Sequence, residues 1–172
     1  MGATTIEVTR EADTVWVSLP RLTCAPCKIP NWTVQVLGTA PEAAATCGPA
    51  QGYLVLAYPD NFNLKSLSIP DQGIAKDTAR AIIVTCRITT EDGLGDESIH
   101  MRYFAPQYGV AEDSATGSAM RVLAEYWRQR GLGDTLVARQ QSEAGGYLVS
   151  RIEADRCWIG GRVVTIDKAD ND

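Results

Sequence analysis

Residues 101–127 read MRYFAPQYGVAEDSATGSAMRVLAEYW, and the stretch changes character twice. It begins inside a strand-like run, SIHMRYFAP (98–106), passes through acids and small hydroxylated residues around Gly117, and ends as an amphipathic helix. From Ser118 onward Ala119, Val122, Leu123, Tyr126 and Trp127 recur at helical spacing. Gly131, placed after the basic RQR turn, supplies a C-terminal stop. The spacing predicts the principal helix of the chain over 117–130.

The start of that helix raises a chemical question. Thr116 and Ser118 are residue types that cap free amides, and Gly117 lets a ligand or another segment approach the backbone. Unpaired N–H groups and the helix dipole favour an anion there, such as a substrate carboxylate. Asp113 and Glu112 stand just upstream, where a carboxylate can accept or relay a proton. Ordinary capping explains the same residue types without a ligand, so both readings stand.

Working outward, Ile6 and Val8 face Val15, Val17 and Leu19 across EADT as a hairpin closed by Pro20. Residues 21–31, with Pro26 and Pro30, read as a connector. Short helices are expected around 33–37 and over 41–46, and another within 59–71. Strands are expected at 52–58 and 79–90, the latter followed by a turn in EDGLGDE (91–97). After the helix, TLVARQQS, GYLVSRIEA and CWIGGRVVTID read as three more strands. Strands joined by turns around one strong helix indicate an α+β fold with a largely antiparallel sheet.

The chain has 172 residues, 45% of them hydrophobic and 22% charged, which suits one ordinary folded domain with its own core. Its net charge of -5 and scattered basic residues argue against nucleic acid as a partner. No apolar run is long enough for a bilayer, and MGATTIEVTREAD lacks the marks of a signal peptide, so a cytoplasmic location is expected. The five cysteines are odd in number and irregularly spaced, and are expected to be reduced. Cys24 and Cys27 have the spacing of a redox dithiol or half a zinc site, but a lone pair in a proline-containing connector fits neither well. Cys86 and Cys157 sit in apolar strands and read as core residues, and His100, the single histidine, as structural. No metal and no cofactor is implied.

Arg102, Phe104, Ala105, Pro106, Gly109, Glu112, Asp113, Thr116, Gly117, Ser118 and Ala119 together resemble the signature R-x-F-A-P-x-x-G-x-x-E-D-x-x-T-G-S-A of the PhzF-like family of phenazine-biosynthesis isomerases. The resemblance implies a diaminopimelate-epimerase-like half: a curved, mostly antiparallel or mixed sheet wrapped around the central helix. It implies that residues 32–172 correspond to the C-terminal domain, and that residues 1–20 are the tail of an N-terminal half joined through 21–31. Asp113 would be catalytic, with Thr116, Gly117, Ser118 and Ala119 binding a small carboxylated metabolite. The family's general-base glutamate and its G-H histidine belong to the N-terminal half, and neither is found here. Met120 and Ser114 also stand where a histidine and a proline are common. The expectation is therefore an isomerase-type protein, catalytically incomplete alone and completed by a homodimer or a separate N-terminal half; the alternatives are a non-enzymatic carboxylate binder or, less favoured, a CxxC module.

Overall fold

The computed structural model describes residues 6–90 and 97–162. Ten strands run in chain order: β1 Glu7–Glu11, β2 Thr14–Pro20, β3 Cys24–Cys27, β4 Ala43–Cys47, β5 Tyr53–Ala57, β6 Ala81–Arg87, β7 Ile99–Phe104, β8 Thr135–Gln140, β9 Gly146–Glu153 and β10 Arg156–Arg162. Two helices, α1 (Thr33–Leu37) and α2 (Gly117–Arg128), and three 3₁₀ turns complete the described residues. All ten strands join one sheet in the order β1-β2-β10-β9-β8-β7-β6-β5-β4-β3. Seven of its nine pairings are antiparallel, and β5–β6 and β7–β8 are parallel.

The sheet is apolar on both sides at its centre. Val55, Ala57 and Ile83 face a core shared with α2, whereas Leu54, Leu56, Ile82 and Val84 face a second core with Leu37, Leu64 and Leu67. A strand covered on both faces loses its polar alternation, and this is why YLVLA and AIIVTC read as continuous apolar runs. Helix α2 buries Ala119, Met120, Val122, Leu123, Ala124, Tyr126 and Trp127, and packs chiefly on β9, β10, β3, β5 and β8. Full burial of a side chain such as Leu123 contributes roughly 1.5–3 kcal/mol. Strands from both arms of the sheet thus meet one helix, and Trp127 Nε1 donates to the buried Thr85 Oγ1 at 3.1 Å.

Three expectations are corrected. The segment over 41–46 is not a helix: Ala43–Cys47 is strand β4, held between β3 and β5. Its alanines favour a helix in isolation, but they also fit a crowded sheet centre, and the pairing prevails over propensity. Connector 21–31 contains strand β3, with Pro26 tolerated because β3 is a sheet edge. Finally, Cys24 and Cys47 lie directly opposite each other with Cα atoms 4.3 Å apart and are joined as a disulfide, so they are not reduced thiols. Cys27 stands three residues along the strand and turns to the other core, so the two cysteines of CAPC do not form a dithiol pair. Most of the expected EDGLGDE turn lies outside the described residues.

The remaining cysteines behave as core side chains. Burial pushes the thiols of Cys86 and Cys157 each up to about 11. Such groups stay protonated and are poor nucleophiles.

At the far end of α2, Arg21 places Nε 3.0 Å and Nη2 2.8 Å from Glu125 Oε2, tying the segment after β2 to the helix. Burial disfavours the charged Glu125, but hydrogen bonds from Arg128, Arg21 and Gln129 outweigh it and hold the carboxyl below its usual range. A carboxyl with a lowered folded-state pKa stabilises the fold above its unfolded value and loses that contribution as the pH falls through the folded one. Wild-type protein should therefore lose stability more steeply below pH 4.5 than Glu125→Gln, as followed by urea midpoints across the acid range. Reducing the Cys24–Cys47 bond, which closes a loop of sequence separation 23, should lower unfolding free energy by about 3 kcal/mol in urea titrations with and without reductant.

Candidate functional site

The polar segment between β7 and α2 is held by side-chain bonds of Arg102, Glu112, Asp113, Thr116, Gln140 and Ser142. Arg102 on β7 donates from Nε to Glu112 Oε1 at 2.7 Å and from Nη2 to Oε2 at 2.9 Å, a two-point pairing of mostly buried groups. Its Nη1 donates to the carbonyls of Leu64 and Leu67, each at 2.9 Å. The arginine and first acid of the motif are thus a structural pair that fastens the segment to the 3₁₀ turn at Leu64–Ser66. Between them Gly109 turns the chain at φ 83°, a left-handed conformation that glycine adopts without strain.

Asp113 lies at the turn into the helix. Its Oδ1 accepts from the Ser114 amide at 2.8 Å and its Oδ2 from the Thr116 hydroxyl at 2.6 Å. Thr116 is the residue preceding α2, yet its hydroxyl donates to Asp113 and accepts from Gln140, and its oxygen takes no helix amide as a cap. The amides of Gly117, Ser118 and Ala119 therefore open α2 with no side-chain cap. The side chain of Thr116 thus does not act as a helix cap in this structure. Nearby, burial first, and then Tyr53, Asp113 and Tyr108, push the Tyr103 phenol up. It is held as a neutral hydroxyl at physiological pH.

Gln140, at the end of β8, holds this geometry and was not singled out in the sequence. It is fully buried. Its Oε1 accepts from the Thr116 amide at 2.8 Å, and its Nε2 donates to the Asp113 carbonyl at 2.6 Å and to Thr116 Oγ1 at 3.1 Å. Ser142 Oγ adds a bond to the Ser114 carbonyl at 2.8 Å. The backbone of 114–115 crosses so close to Gly146 that a Cβ there would meet the Ala115 Cβ at 2.9 Å. Only the polar QQS at a strand end hinted at this role, and nothing in the sequence paired it with residues 24 positions earlier.

Two concavities flank the helix start. One, of about 360 Å³, runs along Val15, Val17, Leu19, Leu148 and Ile159 to Gly117 and Ser118, with Arg162 at its rim. The other, of about 540 Å³, lies beside Ser114 and Ser142 with Glu112 and Glu143 on its wall. The expected binding residues divide accordingly. Gly117 and Ser118 reach the apolar groove, Thr116 is buried in the hydrogen-bond network, and the side chain of Ala119 belongs to the core, leaving only its amide for a ligand. Asp113 is half-buried, with both oxygens occupied by local donors. Among the described residues, no group of three or more His, Cys, Asp or Glu side chains is placed to hold a metal ion.

The family model for phenazine biosynthesis-like proteins (PhzC-PhzF) matches residues 15–166. The chain belongs to this family. An uncharacterized isomerase of Pseudomonas aeruginosa is 36% identical over 165 residues, covering 95% of this chain and 57% of its own. A phenazine biosynthesis-like domain-containing protein of Bos taurus is 27% identical, covering 87% of this chain and 56% of its own. The crystal structure of a PhzF-family protein from Enterococcus faecalis superposes with a TM-score of 0.75 at 26% identity, over 90% of this chain and 56% of that one. The chain thus spans somewhat more than half the length of these relatives. Within the PhzC-PhzF family signature as it stands here, the R…E pair is an ion pair and the D…T pair a hydrogen bond.

Gln140→Leu should cost about 2–4 kcal/mol, since it strands the Thr116 amide and the Asp113 carbonyl in a buried setting. Equilibrium unfolding measures the loss, and hydrogen exchange at the Thr116 amide should accelerate beyond the change at amides of β6.

Proposed function

We propose that this chain binds a small carboxylated metabolite at the start of α2, within an isomerase-type activity that moves a proton between carbon atoms. The observation that carries the reading is the uncapped run of amides at Gly117, Ser118 and Ala119 opening onto an apolar groove. Amides in that position hold a carboxylate, and the helix dipole adds to the attraction. The walls formed by Val17, Leu19 and Ile159 suit the hydrocarbon body of the same molecule. Asp113, one turn before these amides, is the group for proton transfer, with Thr116 positioning it.

In this reading residues 32–172 form an epimerase-like half whose sheet wraps α2, with 1–20 as a tail and 21–31 as the connector. Shuttling a proton needs an acid or base within reach of each carbon, and one Asp supplies only one of them. The chain alone is accordingly an incomplete catalyst, in keeping with its span of 57% of the Pseudomonas relative. A second reading, carboxylate binding without turnover, is favoured by the engagement of both Asp113 oxygens and by the pairing of Glu112 with Arg102.

Binding is tested by titrating small aliphatic and aromatic carboxylates while recording amide shifts. A Cβ at Gly117 would meet only Ile159 Cγ2, at 3.7 Å, so Gly117→Ala keeps the fold while placing a methyl in the groove. It should weaken binding about tenfold, which is about 1.4 kcal/mol, with little change in thermal midpoint. Incubation with bound acids in D2O separates the two readings. Deuterium appearing on a substrate carbon, and lost in Asp113→Asn, supports isomerisation, whereas binding without exchange supports the second reading. Absence of any carboxylate binding at millimolar concentration would sink both.

A further inference from the structure

Helix α2 carries one cation that the rest of the fold leaves unused. Arg128 pairs with Glu125, and Arg130, just past the helix, donates to the Tyr126 carbonyl and lies 3.6 Å from the centroid of that ring. Arg121 differs from both. Among the described residues it makes no side-chain hydrogen bond and no ion pair, and its Nε is buried without a partner. Glu125, the acid one turn further along, already takes donors from Arg21, Arg128 and Gln129. A half-buried guanidinium without an anion has lost hydration that nothing in the chain replaces.

The place of Arg121 follows from two registers that agree. Gly117 is set against Ile159, whose Cγ2 would stand 3.7 Å from a Cβ at that glycine. Burial raises the Cys157 thiol, and the charge of Arg121 is the first of the effects opposing it, so the two residues are neighbours. Four residues of helix advance about 6 Å and two residues of strand about 6.7 Å. The helix and β10 thus keep step, with Gly117 beside Ile159 and Arg121 beside Cys157. On β2, Ile159 pairs with Val17 and Cys157 with Leu19, and both Val17 and Leu19 wall the apolar groove. Arg121 therefore stands beside the Leu19 end of the groove, about 6 Å along the helix from the uncapped amides. Long helical side chains lean toward the N-terminus of their helix, which turns the guanidinium back along the groove towards those amides.

We infer that the groove takes a dicarboxylate, one acid held by the amides that open α2 and the other by Arg121, with the aliphatic chain between them lying along Val17, Leu19 and Ile159. The inference rests on the carboxylate reading of this groove and narrows it to a class. A monocarboxylate leaves the guanidinium as it is, whereas a second acid gives it a charge-assisted, two-point partner. A separation of about 6 Å corresponds to roughly three or four methylene groups between the two acids.

Calorimetric titration at neutral pH and constant ionic strength compares glutarate with its monomethyl ester, which keeps the chain and one acid. Wild type should bind glutarate about tenfold more tightly than the ester. In Arg121→Gln the two affinities should come within about twofold of each other, through loss of glutarate binding alone, because the ester never engaged the guanidinium. Arg121 has no bond to lose, so far-ultraviolet circular dichroism should be unchanged. Arg87→Gln removes the same charge at an exposed position beside Leu132, beyond the far end of α2, and should keep the full preference. A wild type that binds both compounds alike overturns the inference and leaves the carboxylate reading standing. A preference that survives Arg121→Gln, or that Arg87→Gln abolishes equally, overturns it as well. Binding of neither compound at millimolar concentration overturns it together with the reading on which it rests.

Discussion

The buried amide of Gln140 ties the turn at Asp113 to the start of α2 and fixes the geometry of both. One end of the amide holds the Thr116 N–H, and the other holds the Asp113 carbonyl and the Thr116 hydroxyl oxygen. With these bonds made, Thr116 Oγ1 donates to Asp113 and accepts from Gln140 Nε2, and it accepts from no amide of the helix. The turn before α2 and the uncapped start of the helix are thus held by one and the same residue. A neutral amide suits this task because it donates and accepts at once, where a charged side chain would carry a desolvation penalty in the same buried position.

Arg102 fixes the segment from the opposite direction. Its guanidinium spans the carboxylate of Glu112 and two carbonyls of the 3₁₀ turn, so every contact is directional and the pair is held nearly out of water. A buried ion pair of this kind adds little net stability, but loss of one member leaves the other charge stranded. The segment between Arg102 and Thr116 is thus anchored at both ends by groups that tolerate few replacements, while its middle, at Tyr108, Gly109 and Val110, stays exposed.

What the sequence revealed follows from the range of the interactions concerned. Helix α2, the β1–β2 hairpin and the central strands rest on local periodicity, and residues 101–127 carry the family signature in one uninterrupted stretch. Strand β4 was concealed because Ala43, Ala44 and Ala45 suit a helix equally well, and only β3 and β5 on either side decide the matter. The Cys24–Cys47 bond and the role of Gln140 depend on registers between distant segments, to which spacing gives no access. The site was legible as a cluster of residue types, whereas the division of labour among Glu112, Asp113 and Thr116 required coordinates.

From β3 to β10 every neighbour in the sheet is also the next strand in the chain; the exception is β2, which pairs with β10 across 138 residues between Ser18 and Arg156. As the polypeptide leaves the ribosome, the interior of the sheet can grow strand by strand, but the opening hairpin must wait for the last described strand before it gains its inner neighbour. Closure of that long loop is entropically costly and is delayed until β10 has emerged. Until then the hairpin's aliphatic side lacks its inner neighbour, a transient exposure of the kind that favours aggregation during synthesis.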